Sequence, residues 1–116
     1  MIKEINIKED LPPVDVAVAN VELEIERNQK FGDGIIKIIH GYGSHGVGGA
    51  IRVGVRERLK ELKSNKKIYD YIIGEKFTTA YVEGLKVSQN FKEMLLADYN
   101  LNSLNSGITI IVIKST

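Results

Sequence analysis

The feature that most constrains the fold of this chain is a strand pattern followed at once by a glycine-rich loop. Residues 35–39 read IIKII, which is typical of a strand buried on both faces in a sheet with crossover helices. Five glycines then fall within residues 41–49, GYGSHGVGG. Apolar residues at helical spacing follow, namely Ile51, Val55, Leu59 and Leu62. They predict an amphipathic helix directly after the loop.

The other apolar patterns place this unit within an alternating order of strands and helices. Strands are predicted over 2–7, 35–39, 68–73 and 108–113, and helices over 14–25, 51–64 and about 88–98. Gly32 and Gly34 end the first helix and turn the chain into the second strand. The order β-α-β-α-β-(α)-β predicts an α/β fold, a two-layer sandwich with a mixed four-stranded sheet.

Length and composition limit the number of domains and the classes of site. The 116 residues correspond to a single domain over 1–116, and neither a repeat nor a linker divides them. The absence of cysteine excludes disulfides and thiolate metal sites. No apolar run reaches the roughly 20 residues that span a bilayer, and the charged N-terminus lacks the apolar core of a signal peptide. We therefore expect a cytoplasmic protein without membrane contact.

Charge is distributed unevenly along the chain, although the net charge is only +1. Residues 50–67 carry seven Lys and Arg against two Glu, whereas residues 1–30 carry four basic against seven acidic residues. A basic excess directly after a glycine loop fits an anion-binding face as well as a solvated helix. Arg52 and Arg56 lie four apart and share a helical face, and Arg is suited to bidentate phosphate contact.

A glycine-rich loop between a strand and a helix exposes backbone N–H groups at a helix N-terminus, which is a natural anion site. A P-loop is excluded, because Gly48 and Gly49 are followed by Ala50 rather than by Lys. Residues 41–46 match the dinucleotide fingerprint G-x-G-x-x-G. However, the loop follows the second strand, and the chain is too short for two mononucleotide-binding halves. The loop therefore predicts a phosphate site of another kind.

Residues 38–59, IIHGYGSHGVGGAIRVGVRERL, resemble the second signature of the Smr domain, the small MutS-related domain. That signature is a strand ending in His-Gly-x-Gly, further small residues, and then Leu or Ile with an Arg that opens a basic helix. The closing stretch NSGITIIVIK also resembles the last strand of the family. The resemblance implies a stand-alone, bacterial-type Smr domain, an α/β sandwich similar to the C-terminal domain of translation initiation factor three. It sets residues 78–104 apart as an insertion or a subgroup-specific helix and loop.

Membership of this family implies binding of DNA or RNA and, in several members, endonuclease activity of the kind used in DNA repair. It also implies a first signature, Leu-Asp-Leu-His-Gly, on the first strand. Here Asn6 replaces the Asp and Lys8 replaces the His. Neither replacement supplies a carboxylate or a second imidazole, so the binding half of the site is kept better than the catalytic half.

The predicted site consists of the loop and the residues around it. His40 is the predicted catalytic residue, as a general acid or base, unless it only caps the strand end by hydrogen bonding. Tyr42 is suited to stacking on a base. The predicted nucleic-acid contacts are Lys8, Gly41, Tyr42, Gly43, Ser44, His45, Gly46, Gly48, Gly49, Arg52 and Arg56. The spacing of His40 and His45 is not that of a known metal site, so we expect neither a metal nor a cofactor.

Two other functions fit the same sequence. The loop can hold a nucleotide or another small phosphorylated ligand, which a deep apolar-walled pocket beside Gly43 would favour over an open basic groove. The domain can also be a non-catalytic protein-interaction module whose interface is made by residues 78–104. A large exposed apolar patch on that segment would favour this interpretation.

Overall fold

In residues 2–42 and 47–116, which the computed structural model describes, the chain forms an α/β fold with a mixed four-stranded sheet. The strands are β1 (Lys3–Asn6), β2 (Ile35–Ile39), β3 (Asp70–Ile73) and β4 (Ile108–Val112). The helices are α1 (Val14–Phe31), α2 (Val47–Ser64), α3 (Thr79–Glu83) and α4 (Gln89–Leu96), and a 3-10 turn spans Gly74–Lys76. The predicted order and the mixed four-stranded sheet are confirmed.

The strands lie in the order β1-β2-β4-β3, so that the last strand is inserted between the second and the third. β1 and β2 are parallel, with Lys3 opposite Ile36 and Asn6 opposite Ile39. β4 is antiparallel to both β2 and β3. All five residues of β4 are buried, and so are four of the five in β2. Burial on both faces explains why isoleucine and valine dominate these two central strands.

The long helices α1 and α2 cover one face of the sheet. Their buried residues recur at helical spacing, with Ala17, Val21 and Ile25 in α1 and Ile51, Val55, Leu59 and Leu62 in α2. They pack on Ile36, Ile38 and Ile111, which point to one side because strand side chains alternate. Burying a side chain of this size stabilises the fold by about 1.5–3 kcal/mol. No helix in the described ranges is long and apolar enough to cross a membrane.

The short helices α3 and α4 lie against the opposite face of the sheet. Their buried residues are Val82, Phe91 and Leu95, which pack with Phe77 on Ile35, Ile72, Ile110 and Val112. The hydroxyls of Thr78 and Ser88 cap the two helices, accepting from Tyr81 N at 3.2 Å and from Phe91 N at 3.3 Å. The segment 78–104 therefore covers the second face of the sheet and adds a third layer to the predicted two-layer sandwich.

One charged side chain, Lys37 of β2, is fully buried on the α3–α4 side of the sheet. Its Nζ donates to Glu4 Oε2 at 3.1 Å, to Asp98 Oδ1 at 2.7 Å and to Asn100 Oδ1 at 2.7 Å. It also lies 4.1 Å from the centroid of the Tyr99 ring. All three ammonium donors are used and two carboxylates balance the charge, which is what burial of a cation requires. Lys37 thereby ties the chain after α4 to β1 and β2.

Candidate functional site

The glycine loop leaves the sheet at the carboxyl end of the parallel pair β1–β2, where α/β proteins commonly place their ligands. The backbone N–H groups of His40 and Gly41 both donate to Gly107 O, each at 3.1 Å. Gly41 has φ of +74°, a left-handed conformation that side chains other than glycine rarely adopt. These bonds and this conformation fix the direction in which the chain enters the loop.

His40 is buried beneath the start of the loop, with no exposed surface. Its Nδ1 lies 2.8 Å from Gly41 O, and its Nε2 lies 2.8 Å from Thr109 Oγ1. A carbonyl oxygen can only accept, so Nδ1 carries the proton and donates to Gly41. Burial lowers the pKa of His40 to about 4, and the nearby cations Arg56 and Arg52 act in the same direction. His40 is therefore neutral at pH 7, with Nε2 as an acceptor.

Arg56, in α2, is held by several acceptors at once. Its Nε donates to Thr109 Oγ1 at 3.0 Å, and its two terminal nitrogens donate to the Glu75 carboxylate at 2.9 and 2.8 Å. One of these nitrogens also donates to Ile108 O at 3.1 Å. The bond from Arg56 keeps the pKa of Glu75 below its usual range. Arg56 would thus have to release the Glu75 carboxylate before it could make a bidentate contact with a phosphate. The phosphate contact of Arg56 stays a prediction.

Thr109 joins His40 and Arg56 in one directed chain of hydrogen bonds. Arg56 Nε–H donates to the Thr109 hydroxyl, so the single hydroxyl proton is left to donate to His40 Nε2. Sequence reasoning missed Thr109, although it is the only polar residue in the final strand pattern ITIIVI, residues 108–113. A lone hydroxyl in a fully buried strand is the signal that would have found it, because buried polar groups are almost always hydrogen-bonded.

Two cations and an aromatic ring lie near this chain of hydrogen bonds. The Lys8 side chain passes over Gly41, where a Cβ would lie 3.2 Å from Lys8 Cδ. Arg52 is half-buried and close enough to His40 to lower its pKa. Neither cation forms an ion pair with another described residue. Tyr42 is 59% exposed and packs one ring edge against Gly107.

The first strand does not supply a proton-transfer group at this edge. The Asn6 side chain accepts a hydrogen bond from Lys8 N at 3.0 Å, so it shapes the turn after β1. Lys8, two residues further on, offers only a cation. No cluster of three or more His, Asp or Glu that could hold a metal ion occurs among the residues described. Among the described residues of this edge, Lys8 and Arg52 contribute positive charge.

The other predicted loop contacts are only partly open to description. Gly43, Ser44, His45 and Gly46 lie outside the described residues. Gly48 and Gly49 belong to the first turn of α2, and a Cβ on Gly49 would meet no atom within 4 Å. The structure thus places Lys8 and Tyr42 beside Gly41 and Arg52 near His40, and it joins His40 to Arg56 through Thr109.

The clefts formed by described residues bear on the alternative functions. A cleft of about 450 Å³ beside Arg52 and Arg56 is open and lined largely by charged residues. A cleft of about 580 Å³ lies between β1 and α4 and is lined by none of the predicted site residues. In the segment 78–104 the large exposed apolar side chains are Tyr99 and Leu104, while Phe91 and Leu95 face the core. A pocket beside Gly43, which would favour a small phosphorylated ligand, falls outside the described residues, so this alternative stays a prediction.

Comparisons with known proteins add no evidence to that of the sequence and the geometry. No family model, curated protein or solved structure was found to match the chain.

Proposed function

We propose that this protein binds the phosphate backbone of DNA or RNA at the carboxyl end of the β1–β2 pair. The observation that carries the proposal is that Lys8 and the exposed Tyr42 lie beside Gly41, at a chain turn fixed by Gly107, with Arg52 close enough to His40 to act on its charge. Two cations without carboxylate partners in the described structure are suited to phosphate oxygens. An exposed aromatic ring beside them is suited to a base.

The resemblance of residues 38–59 to the second Smr signature supports the same proposal from the sequence side. The His-Gly at the start of that stretch is His40–Gly41, whose backbone and side chain organise the turn. The Arg that opens the basic helix is Arg52. Contact through backbone phosphates is independent of base sequence, and it weakens as the salt concentration rises because the release of counterions on binding becomes less favourable.

The geometry supports binding more directly than cleavage. Both ring nitrogens of His40 are engaged, and Nε2 would have to leave the Thr109 hydroxyl before it could take a proton from a nucleophile. Asn6 cannot act as a general base, and Lys8 supplies a positive charge. Endonuclease activity with His40 as the catalytic residue stays a prediction that the binding experiment can test in the same samples.

The proposal is tested by fluorescence anisotropy with labelled single-stranded RNA, double-stranded RNA and branched DNA, from about 50 to 200 mM salt. Wild-type protein is compared with Lys8→Ala/Arg52→Ala. The matched control is Lys30→Ala/Lys86→Ala, which removes the same charge from two exposed positions outside the predicted site. We expect salt-sensitive binding by wild type and by the control, and weaker binding with a shallower salt dependence for Lys8→Ala/Arg52→Ala.

Each outcome has a defined meaning. Equal losses in the two double variants would show that only net charge matters and would remove the site from the proposal. Absence of binding by wild type at the lowest salt would refute the proposed function and direct attention to small phosphorylated ligands. Gel analysis of the same mixtures reports cleavage, which should disappear in His40→Gln if the imidazole is catalytic.

A further inference from the structure

A second basic feature runs away from the loop along α2. The residues Arg52, Arg56, Lys60 and Lys63 are each one position on from the buried residues Ile51, Val55, Leu59 and Leu62. They therefore form a stripe beside the buried one, along the side of α2 that faces β3. At 1.5 Å per residue, the stripe from Arg52 to Lys63 is about 16 Å long.

Two clefts between α2 and β3 join along this stripe. The first, about 450 Å³, begins at Arg52, and the second, about 350 Å³, extends to Lys76 in the turn after β3. Lys60 and Tyr71 line both clefts, so the two form one continuous groove with a tyrosine at its centre. Tyr71 is partly buried against the α1–α2 core and partly open to the groove.

The charges in this groove are not cancelled. Two of the three carboxylates that line it are already in ion pairs, Glu75 with Arg56 at 2.8 Å and Asp70 with Lys63 at 2.8 Å. The third carboxylate is that of Glu57. Arg52, Lys60 and Lys76 form no ion pair with any described residue, so three cations remain against this one carboxylate. The groove is thus a line of available positive charge that starts at the proposed site.

We propose that the groove between α2 and β3 holds a single strand of nucleic acid that continues from the phosphate site at the loop. Lys60 and Lys76 contact successive backbone phosphates, and Tyr71 offers its ring to a base. A length of about 16 Å corresponds to about five nucleotide steps at the 3.4 Å rise of a duplex strand, and to fewer in an extended strand. A single strand of nucleic acid is preferred to a duplex, because a base must be unpaired to stack on the Tyr71 ring inside the groove. The inference rests on the proposed function and adds to it the strandedness and the path of the ligand.

The test compares wild type, Lys60→Ala/Lys76→Ala and the control Lys30→Ala/Lys86→Ala on a labelled single-stranded RNA and on a duplex of the same sequence. Both groove lysines are exposed, so the variant should fold, which circular dichroism checks. Two lost phosphate contacts on a single strand should reduce the salt slope by about 1.4. Between about 50 and 200 mM salt, wild type should therefore lose about sevenfold more affinity than the groove variant. The control should keep the wild-type salt slope. Tyr71→Leu should weaken binding but leave the salt slope unchanged, because the ring contributes no charge.

The results separate this inference from the proposed function. Suppose that wild type binds and that Lys8→Ala/Arg52→Ala weakens binding, while the groove variant keeps the wild-type salt slope. That result would refute binding in the groove but leave the phosphate site at the loop intact. Duplex binding as tight as single-strand binding would overturn the preference for a single strand. If wild type binds neither nucleic acid, both proposals fail together.

Discussion

Replacing His40 by Gln should remove a pH dependence that the buried imidazole imposes on the free energy of unfolding. Burial holds the pKa of His40 at about 4 in the folded protein, against an ordinary value of 6.5. The unfolded chain therefore takes up a proton as the pH falls below 6.5, whereas the folded protein does not until the pH approaches 4. The stability provided by the neutral imidazole is fully present above pH 6.5 and is lost as the pH falls towards and through 4.

The size of this effect follows from the two pKa values, at about 1.36 kcal/mol for each unit of difference. For wild type, the His40 contribution should fall by about 1.4 kcal/mol at pH 5.5 and by about 2.6 kcal/mol at pH 4.5. His40→Gln keeps a polar side chain but has no titrating group, so it lacks this loss. Glu4 and Glu75, whose pKa values are lowered by their partners, add a further acid-dependent loss that is shared by both proteins.

Urea unfolding of wild type and His40→Gln at pH 7.5, 5.5 and 4.5 measures the difference directly. The variant should be less stable at pH 7.5 because it disturbs the bonds to Thr109 and Gly41, and the gap should narrow as the pH falls. If the two proteins lose stability in parallel, His40 titrates near its ordinary value in the folded state. The reading of a neutral, buried hydrogen-bond chain would then be wrong.

Three further substitutions test other parts of the structure by urea unfolding. Lys37→Met leaves two carboxylates without their buried cation and should lower the free energy of unfolding by about 3–5 kcal/mol. The exposed control Lys30→Met should lower it by less than about 0.5 kcal/mol. Equal urea midpoints for the two variants would contradict the buried ion cluster. Thr109→Val removes the hydroxyl between the buried His40 and the partly buried Arg56 and should cost about 1–3 kcal/mol, while Thr109→Ser keeps the hydroxyl and should cost less. The reverse order would argue against the hydrogen-bond chain. Gly41→Ala should lower the free energy of unfolding by about 1–2 kcal/mol, because residue 41 has a φ of +74°. Gly49→Ala in helix α2 should be neutral or stabilising. Equal effects of the two substitutions would contradict the left-handed conformation at Gly41.

The order of elements was predictable from local patterns because each strand and long helix buries a periodic set of apolar residues. The boundaries were less so. α1 runs to Phe31 rather than to residue 25, because the next buried position is the polar Asn28, which the apolar pattern does not include. The Asn28 side chain accepts a hydrogen bond from Gly34 N at 2.8 Å, and the other residues of this last part of the helix are exposed. α2 begins at Val47, before the first apolar residue of its predicted stripe, because the last glycines of the loop already belong to the helix.

The partners within the site were not predictable, because they come from distant parts of the chain. Arg56 was correctly placed on the helix face with Arg52, but nothing local indicated that Glu75, brought near by the turn after β3, would occupy its guanidinium. Lys37 stood out as the only break in an isoleucine run, yet its acceptor Asp98 lies 61 residues further on. For His40, the alternative of hydrogen bonding at the strand end describes the observed contacts, and the catalytic role stays a prediction.

The strand order has a consequence for how the chain becomes folded during synthesis. β4 lies between β2 and β3, although it is the last of the four strands to leave the ribosome. Until residues 108–112 emerge, β3 has no partner and β2 presents an open edge rich in isoleucine. A nascent chain that already contains both long helices can bury only part of its core, so the sheet closes late, in one step with the arrival of the final strand. The same step brings Thr109 and Gly107 to His40, and the site therefore takes shape only as the sheet itself is completed.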